Sequence, residues 1–189
     1  MGLGGQNPVQ EELTLLRGSI RVDLDIAARR RDPLHLAHGL HAERALEIVH
    51  NGNERAALFT LRTAKESKQL YRVILGTDAP AGSGVQPLGI LRVISALCSV
   101  GEIPAEVAFC FATGNTARMR KLDTGLIEVG RAADFVFLDA AQHSAGKTLL
   151  DSVRLGDLPG VGMVVIDGEI KAERSRNTPP ATRLPKIIG

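Results

Sequence analysis

The chain has 189 residues, 44% of them apolar and 23% charged, which suits a soluble globular chain with one sizeable core or a core plus a small satellite. Its 23 bases and 21 acids leave a formal charge of +2, so nothing in the balance calls for nucleic acid or an acidic membrane as partner. With no Trp and one Tyr, it also lacks the aromatic platforms on which single-stranded bases stack. No apolar stretch approaches the roughly 20 residues of a membrane span. Met1 is followed by Gly-Leu-Gly-Gly rather than a charged segment and an apolar one, so the expected compartment is the cytoplasm. Cys98 and Cys110, the only cysteines, lie in apolar helical-looking segments and read as buried free thiols. The basic run Arg29-Arg30-Arg31 reads as a solvated patch.

In chain order, residues 1–45 carry the weakest signal. Gly2 to Pro8 is loop-like, Glu11 to Leu16 has the start of a helical pattern, and Ile20 to Ile26 alternates like a strand before Asp32-Pro33 breaks it. Leu46 to Val49 reads as a short apolar strand ending in Asn51-Gly52-Asn53. A helix follows over Glu54 to Ser67, with Ala57, Leu58, Leu61 and Ala64 on one side. Arg72 to Leu75 is a strand running into Gly76-Thr77-Asp78-Ala79-Pro80. After Gly82-Ser83-Gly84, a helix carries the i, i+3, i+4, i+7 stripe Ile90, Val93, Ile94 and Leu97. Pro104 suits a helix first turn, and that helix runs to about Ala112. Residues 46–112 thus read strand, helix, strand, helix, the unit of a parallel sheet or barrel.

The pattern shortens after Leu122. Leu126 to Val129 and Phe135 to Leu138 read as two strands around Gly130-Arg131. Val164 to Ile166 and Glu169 to Lys171 flank Asp167-Gly168, the strongest short-range hairpin signal. A helix near Lys147 to Leu155 lies between the two pairs. The tail from Ser175 holds three of the nine prolines and reads as irregular.

Asp78 is the leading candidate for chemistry. It ends an apolar strand just before a Pro that stops sheet pairing, and active sites of barrels and open α/β sheets lie at the carboxyl ends of strands. A carboxylate there can hold a metal or move a proton, while a turn-capping Asp is the plain alternative. Ser83 and Gly84 sit in a Gly-rich loop with neither the dinucleotide nor the P-loop spacing, so it is no phosphate cradle.

The segment RVILGTDAPAG at 72–82 resembles the eighth barrel strand of the amidohydrolase superfamily, whose constant feature is an Asp at that strand's end. ATGNTARMRKLDTGLIEVGRAADFVFLD resembles the superfamily's exit from the barrel into a small β-sandwich domain through a Gly-x-Ile-x-x-Gly-x-x-Ala-Asp hairpin. Those positions here are Gly125, Ile127, Gly130, Ala133 and Asp134. VVIDGEI at 164–170 resembles later sandwich strands. EIVHNGN at 47–53 and SRNTPPA at 175–181 look like the enamidase-like members, so the match spans about residues 46–181.

The resemblance implies an α/β chain: the C-terminal portion of a (β/α)8 TIM-like barrel, its last two strands, plus part of a small β-sandwich domain. Residues 1–45 would be a poorly matched segment, 46–122 the last β/α units, 123–174 the partial sandwich and 175–189 the tail. It also implies hydrolysis of a cyclic amide by metal-bound hydroxide, since a divalent metal such as zinc or iron lowers the pKa of its water toward ~7. Asp78 would be catalytic residue and metal ligand, passing the nucleophile's proton to the leaving nitrogen. Ala79, Ser83 and Gly84 would border the substrate.

The sequence departs from that family in what it lacks. Members place a His-x-His pair on the first barrel strand and further ligands mid-barrel, and no His-x-His occurs here. A complete barrel takes ~200–250 residues, so this chain has room for about two barrel strands. His35, His38 and His41 are spaced i, i+3, i+6 over roughly 120° of a helix face, and could replace lost ligands or simply be partly exposed. His50 follows a strand and His143 lies in a loop. Three readings follow: an enamidase-like hydrolase lacking its N-terminal half and most metal ligands, an inactive barrel remnant that serves as a binding module, or one subunit of a divided enzyme. Strands with unpaired neighbours expose edges, so the chain alone is expected to be oligomeric or poorly soluble.

Overall fold

Two three-stranded sheets organise the chain in the computed structural model, which describes residues 45–49, 54–79 and 87–188 together with the backbone of 19–21. The first sheet is parallel. Its strands are β1 (Ser19–Arg21), β2 (Ala45–Val49) and β3 (Val73–Gly76), hydrogen-bonded in that order. Ile20 stands opposite Leu46, and Leu46 opposite Val73. The sequence reading allowed two barrel strands. Among the described residues there are three parallel strands, because Ser19–Arg21 also pairs along β2.

Helix α1 (Glu54–Glu66) connects β2 to β3, and α2 (Gly89–Ser99), α3 (Ala105–Ala112) and α4 (Gly114–Arg120) follow. The parallel pairing of β2 and β3 around α1 is the crossover that the strand–helix–strand pattern implied. Leu46, Ile48, Val73 and Leu75 form one core with Ala57 and Leu61 of α1, Val93, Ile94 and Leu97 of α2, and Ala105, Ala108 and Phe111 of α3. Side chains alternate across a strand. Glu47, Val49, Ile74 and Gly76 therefore project to the opposite face of the sheet.

The second sheet is antiparallel: β4 (Phe135–Asp139), β5 (Gly160–Ile166) and β6 (Glu169–Ala172). The Asp167-Gly168 turn joins β5 to β6, with positive φ of 52° and 77° at its two residues, as a two-residue hairpin requires. Two residues of the resemblance motif clasp this turn. The Gly168 N–H donates to the Ala133 carbonyl at 3.0 Å, and the Asp167 N–H to Asp134 Oδ1 at 2.9 Å. Leu126 to Val129, read as a strand, forms none. It lies in an irregular run bounded by Gly125 and Gly130, both at positive φ. Ile127 and Val129 there are exposed, so no partner stabilises an extended pairing.

Helix α5 (Leu149–Arg154) joins the two regions through Val153, which is buried in the helix-covered core. Its N-terminus is capped by Thr148, whose oxygen accepts from the Asp151 N–H at 3.2 Å. The antiparallel sheet is apolar on both faces. Phe135, Phe137, Val165 and Ile170 lie on one face, and Val136, Val164 and Ile166 on the other. Val136, Phe137, Ile166 and Ile170 are exposed.

The tail has no helix or strand, yet it is pinned. Arg183 donates to both carboxylate oxygens of buried Asp139, through Nη2 at 2.8 Å and Nε at 2.9 Å, and its backbone N–H adds a third bond at 2.9 Å. Thr182 donates twice to the Ala140 carbonyl, from N–H and from Oγ1, each at 2.9 Å. Among the described residues no helix is long and apolar enough to cross a membrane.

The bonds from Arg183 hold the Asp139 carboxyl at about 2, below the usual carboxylate range. Because the folded value is depressed, the stabilisation is complete above the unfolded value of about 4 and fades as pH falls through about 2. The Asp139→Asn variant is expected to melt at a lower temperature than wild type at pH 7. The gap should narrow between pH 4 and pH 2 as protonation removes the same bonds from the wild type, which thermal melts across that range would read.

Candidate functional site

Strand β3 carries the candidate site, and its start is fixed by a side chain from α4. Asn115 is buried, and its Nδ2 donates to the Val73 carbonyl at 2.9 Å and the Leu70 carbonyl at 3.0 Å. Arg118 Nη2 in turn donates to Asn115 Oδ1 at 2.6 Å, which orients the amide. Both carbonyls belong to the turn that opens β3, where a short 3-10 segment (Leu70–Arg72) leads into the strand. In the same turn, buried Arg72 donates to Gln69 Oε1.

The strand ends at Gly76, and Asp78 follows two residues later. Asp78 is half-buried and holds φ at 51°. The left-handed region is costly for most side-chain-bearing residues and least so for Asp and Asn, so Asp is well suited to turn the chain there. The Ala79 N–H donates to Thr77 Oγ1 at 3.4 Å, and Ala79 itself is exposed. Asp78 and Ala79 therefore stand together where the strand leaves the sheet. Ser83 and Gly84 lie outside the described residues, as do His35, His38, His41 and His50. His143 is exposed in a loop of the second region.

Two residues near this strand end were not singled out in the sequence. Glu47 of β2 stands opposite Ile74 in register, and its Oε1 accepts from Arg120 Nη2 at 3.0 Å. A β-carbon at Gly76 would lie 2.8 Å from that same oxygen, so the carboxylate rests against the glycine. The alternation of β2 is the one signal that could have marked Glu47, as a charged residue inside an apolar strand. Nothing local marks Arg120, which is 73 positions away.

Of the two cysteines, Cys98 is poorly suited to act as a nucleophile. Cys98 is buried, and desolvation together with the negative charge of Glu106 pushes its thiol up to about 11. Cys110, expected to be buried, is exposed, because it falls on the side of α3 away from Ala105, Ala108 and Phe111. Among the described residues, no three His, Cys, Asp or Glu side chains come together to hold a metal ion. A catalytic zinc takes about three protein ligands, so the described residues do not by themselves build such a centre.

A parallel sheet covered by helices on one face, with a carboxylate at a strand's carboxyl end, is the arrangement of α/β enzymes that work at the strand ends. The amidohydrolase family profile matches residues 15–171, and the chain belongs to that family. It is 45% identical over 144 residues to the enamidase of Eubacterium barkeri, an alignment covering 76% of this chain and 37% of that protein. It is 33% identical over 92 residues to the imidazolonepropionase of Streptomyces griseus, covering 49% of this chain and 21% of the other. The crystal structure of enamidase superposes with a TM-score of 0.76 at 40% identity, over 90% of this chain and 42% of that one. A β-aspartyl dipeptidase from Fervidobacterium islandicum shares the fold at a TM-score of 0.56 and 16% identity, over 82% of this chain and 38% of that one. The chain thus spans well under half the length of these relatives.

Asn115→Ala would remove the side-chain donor from two carbonyls at the start of β3, leaving Leu70 only its bond from the Val73 N–H. Each such loss costs ~1–3 kcal/mol when buried, so a destabilisation of about 2–4 kcal/mol is expected from urea unfolding. Asn115→Asp, which keeps the shape but brings an acceptor toward two acceptors, should be no better.

Proposed function

We propose that this chain is the C-terminal part of a hydrolase that opens cyclic amides, with Asp78 as the residue that moves the proton. The observation that carries the reading is the 45% identity to enamidase across 76% of the chain, in a structure that sets Asp78 just beyond the end of a parallel strand. In this reading β1, β2 and β3 are the last strands of a (β/α)8 barrel. Residues 123–174 are part of a β-sandwich, and 175–189 are a tail strapped across it. The face bearing Glu47, Val49, Ile74 and Gly76 is then the barrel interior.

The chemistry asked of Asp78 is a proton relay. Water adds to the lactam carbonyl and gives a proton to the carboxylate. The C–N bond then breaks, and the same proton goes to the departing nitrogen. Such a transfer is worth ~10²–10⁴ in rate. Ala79, Ser83 and Gly84 are the backbone and hydroxyl groups that follow, and they would border the substrate. The family generally uses divalent metals, but the described residues offer Asp78 without a cluster around it. Further ligands would have to come from outside the described residues or from another polypeptide.

That same shortage favours a second reading, a barrel remnant that binds without turning over. Metal analysis and lactam opening by the purified chain separate the two, alone and after mixing with the N-terminal half of an enamidase-like protein. Turnover in either preparation supports the hydrolase, and an inert, metal-free chain in both supports the remnant. Where turnover is found, Asp78→Asn is expected to lower kcat by ~10²–10⁴ while the circular dichroism spectrum stays that of wild type. The exposed apolar side chains of the antiparallel sheet further predict that the chain alone sediments as an oligomer, and a monomer at micromolar concentration would contradict this.

A further inference from the structure

A carboxylate on the middle strand of the parallel sheet has no place in a purely structural account of its apolar neighbours. Glu47 stands between Leu46 and Ile48, both buried in the helix-covered core, and points to the other face. Its side chain is only 15% exposed, so its charge needs a partner close by. Arg120 supplies one at 3.0 Å, from the last turn of α4. Gly76 supplies the room, since any β-carbon there would meet Glu47 Oε1 at 2.8 Å. Three elements distant in sequence thus converge on one carboxylate, which presses on the last residue of β3, two positions before Asp78.

We propose that Glu47 is a positioning residue for Asp78: braced by Arg120, it fixes the end of β3 and with it the turn that presents the Asp78 carboxylate. The brace complements the hold that Asn115 has on the other end of the same strand. Because α4 carries both Asn115 and Arg120, one helix secures β3 at its start directly and at its end through Glu47. A plain solvated ion pair would be worth little and would leave the strand end unchanged when broken. The positioning role differs by making the order of residues 73–79 depend on the pair. Its catalytic consequence rests on the hydrolase reading above; its structural consequence does not.

The test compares Glu47→Gln, Arg120→Met, Arg120→Lys and the Glu47→Gln/Arg120→Met double variant in the full chain. Two measurements are made well below each variant's melting temperature. Amide hydrogen exchange over residues 73–79 is expected to rise in Glu47→Gln and Arg120→Met. It should rise no further in the double variant, and should stay near wild type in Arg120→Lys, which keeps the cation. In the preparation that opens lactams, kcat is expected to fall about tenfold to a hundredfold, with KM within about twofold, because a displaced catalytic group costs turnover rather than binding. Unchanged exchange in both single variants overturns the proposal, as does equal exchange in Arg120→Met and Arg120→Lys. If Glu47→Gln fails to fold, the two Arg120 variants decide alone, since that side chain is 38% exposed at a helix end. If no preparation opens a lactam, the hydrolase reading fails, and the exchange measurements still settle the brace.

Discussion

One buried side-chain amide sets the position of the strand that matters most. Asn115 spans from α4 to the two carbonyls at the opening of β3, adding to the Val73 N–H that already bonds the Leu70 carbonyl. Sheet pairing with β2 fixes the register of β3, with Leu46 opposite Val73. Pairing alone leaves the outer edge of β3 without a neighbour among the described residues. The amide therefore does for that strand's start what a further strand does elsewhere in a sheet. The helical layer then seals Val73 and Leu75 from water, and the strand's far end delivers Asp78.

Two buried or nearly buried carboxylates among the described residues are each matched by an arginine. Asp139 is buried at the end of β4 and answered by three donors from Arg183. Glu47 is nearly buried and answered by Arg120. In both cases the partner comes from a segment far along the chain, 44 residues in the first and 73 in the second. Each pair thus ties a strand to a distant stretch of the chain. The tail is the clearer instance, since outside helix and sheet it is held by side-chain bonds, the isolated bridge of Ala141 to Ala181 and the Ser175 N–H on the Val161 carbonyl.

The local elements could be read from the sequence because each satisfies its own rules. The stripe Ile90, Val93, Ile94 and Leu97 faces the core, and Asp167-Gly168 turns as its composition demands. Asp78 was legible as a position, since an apolar strand followed by Asp and Pro admits few interpretations. Leu126 to Val129 misled because apolar residues at alternate positions look extended whether or not a partner strand exists. The alternation from Ile20 marks a strand where β1 lies, but nothing local shows that it joins the sheet of β2 and β3. Glu47 with Arg120 and Asp139 with Arg183 were illegible, because a pairing across 73 or 44 residues leaves no local pattern. The divalent metal that the resemblance implies finds no cluster of three ligands among the described residues.

The tight connection between β5 and β6, held by Ala133 and Asp134, has a kinetic side. Closing a two-residue reversal requires almost no loop entropy, and hairpins of this kind form in about 1–10 μs. The parallel strands must wait for a whole helix to cross between them, and non-local pairings of that sort are slow. The β5–β6 hairpin would then form first on the way to the native state. Its apolar side chains would be exposed while the parallel sheet was still being assembled, which is when a folding chain is most prone to aggregate.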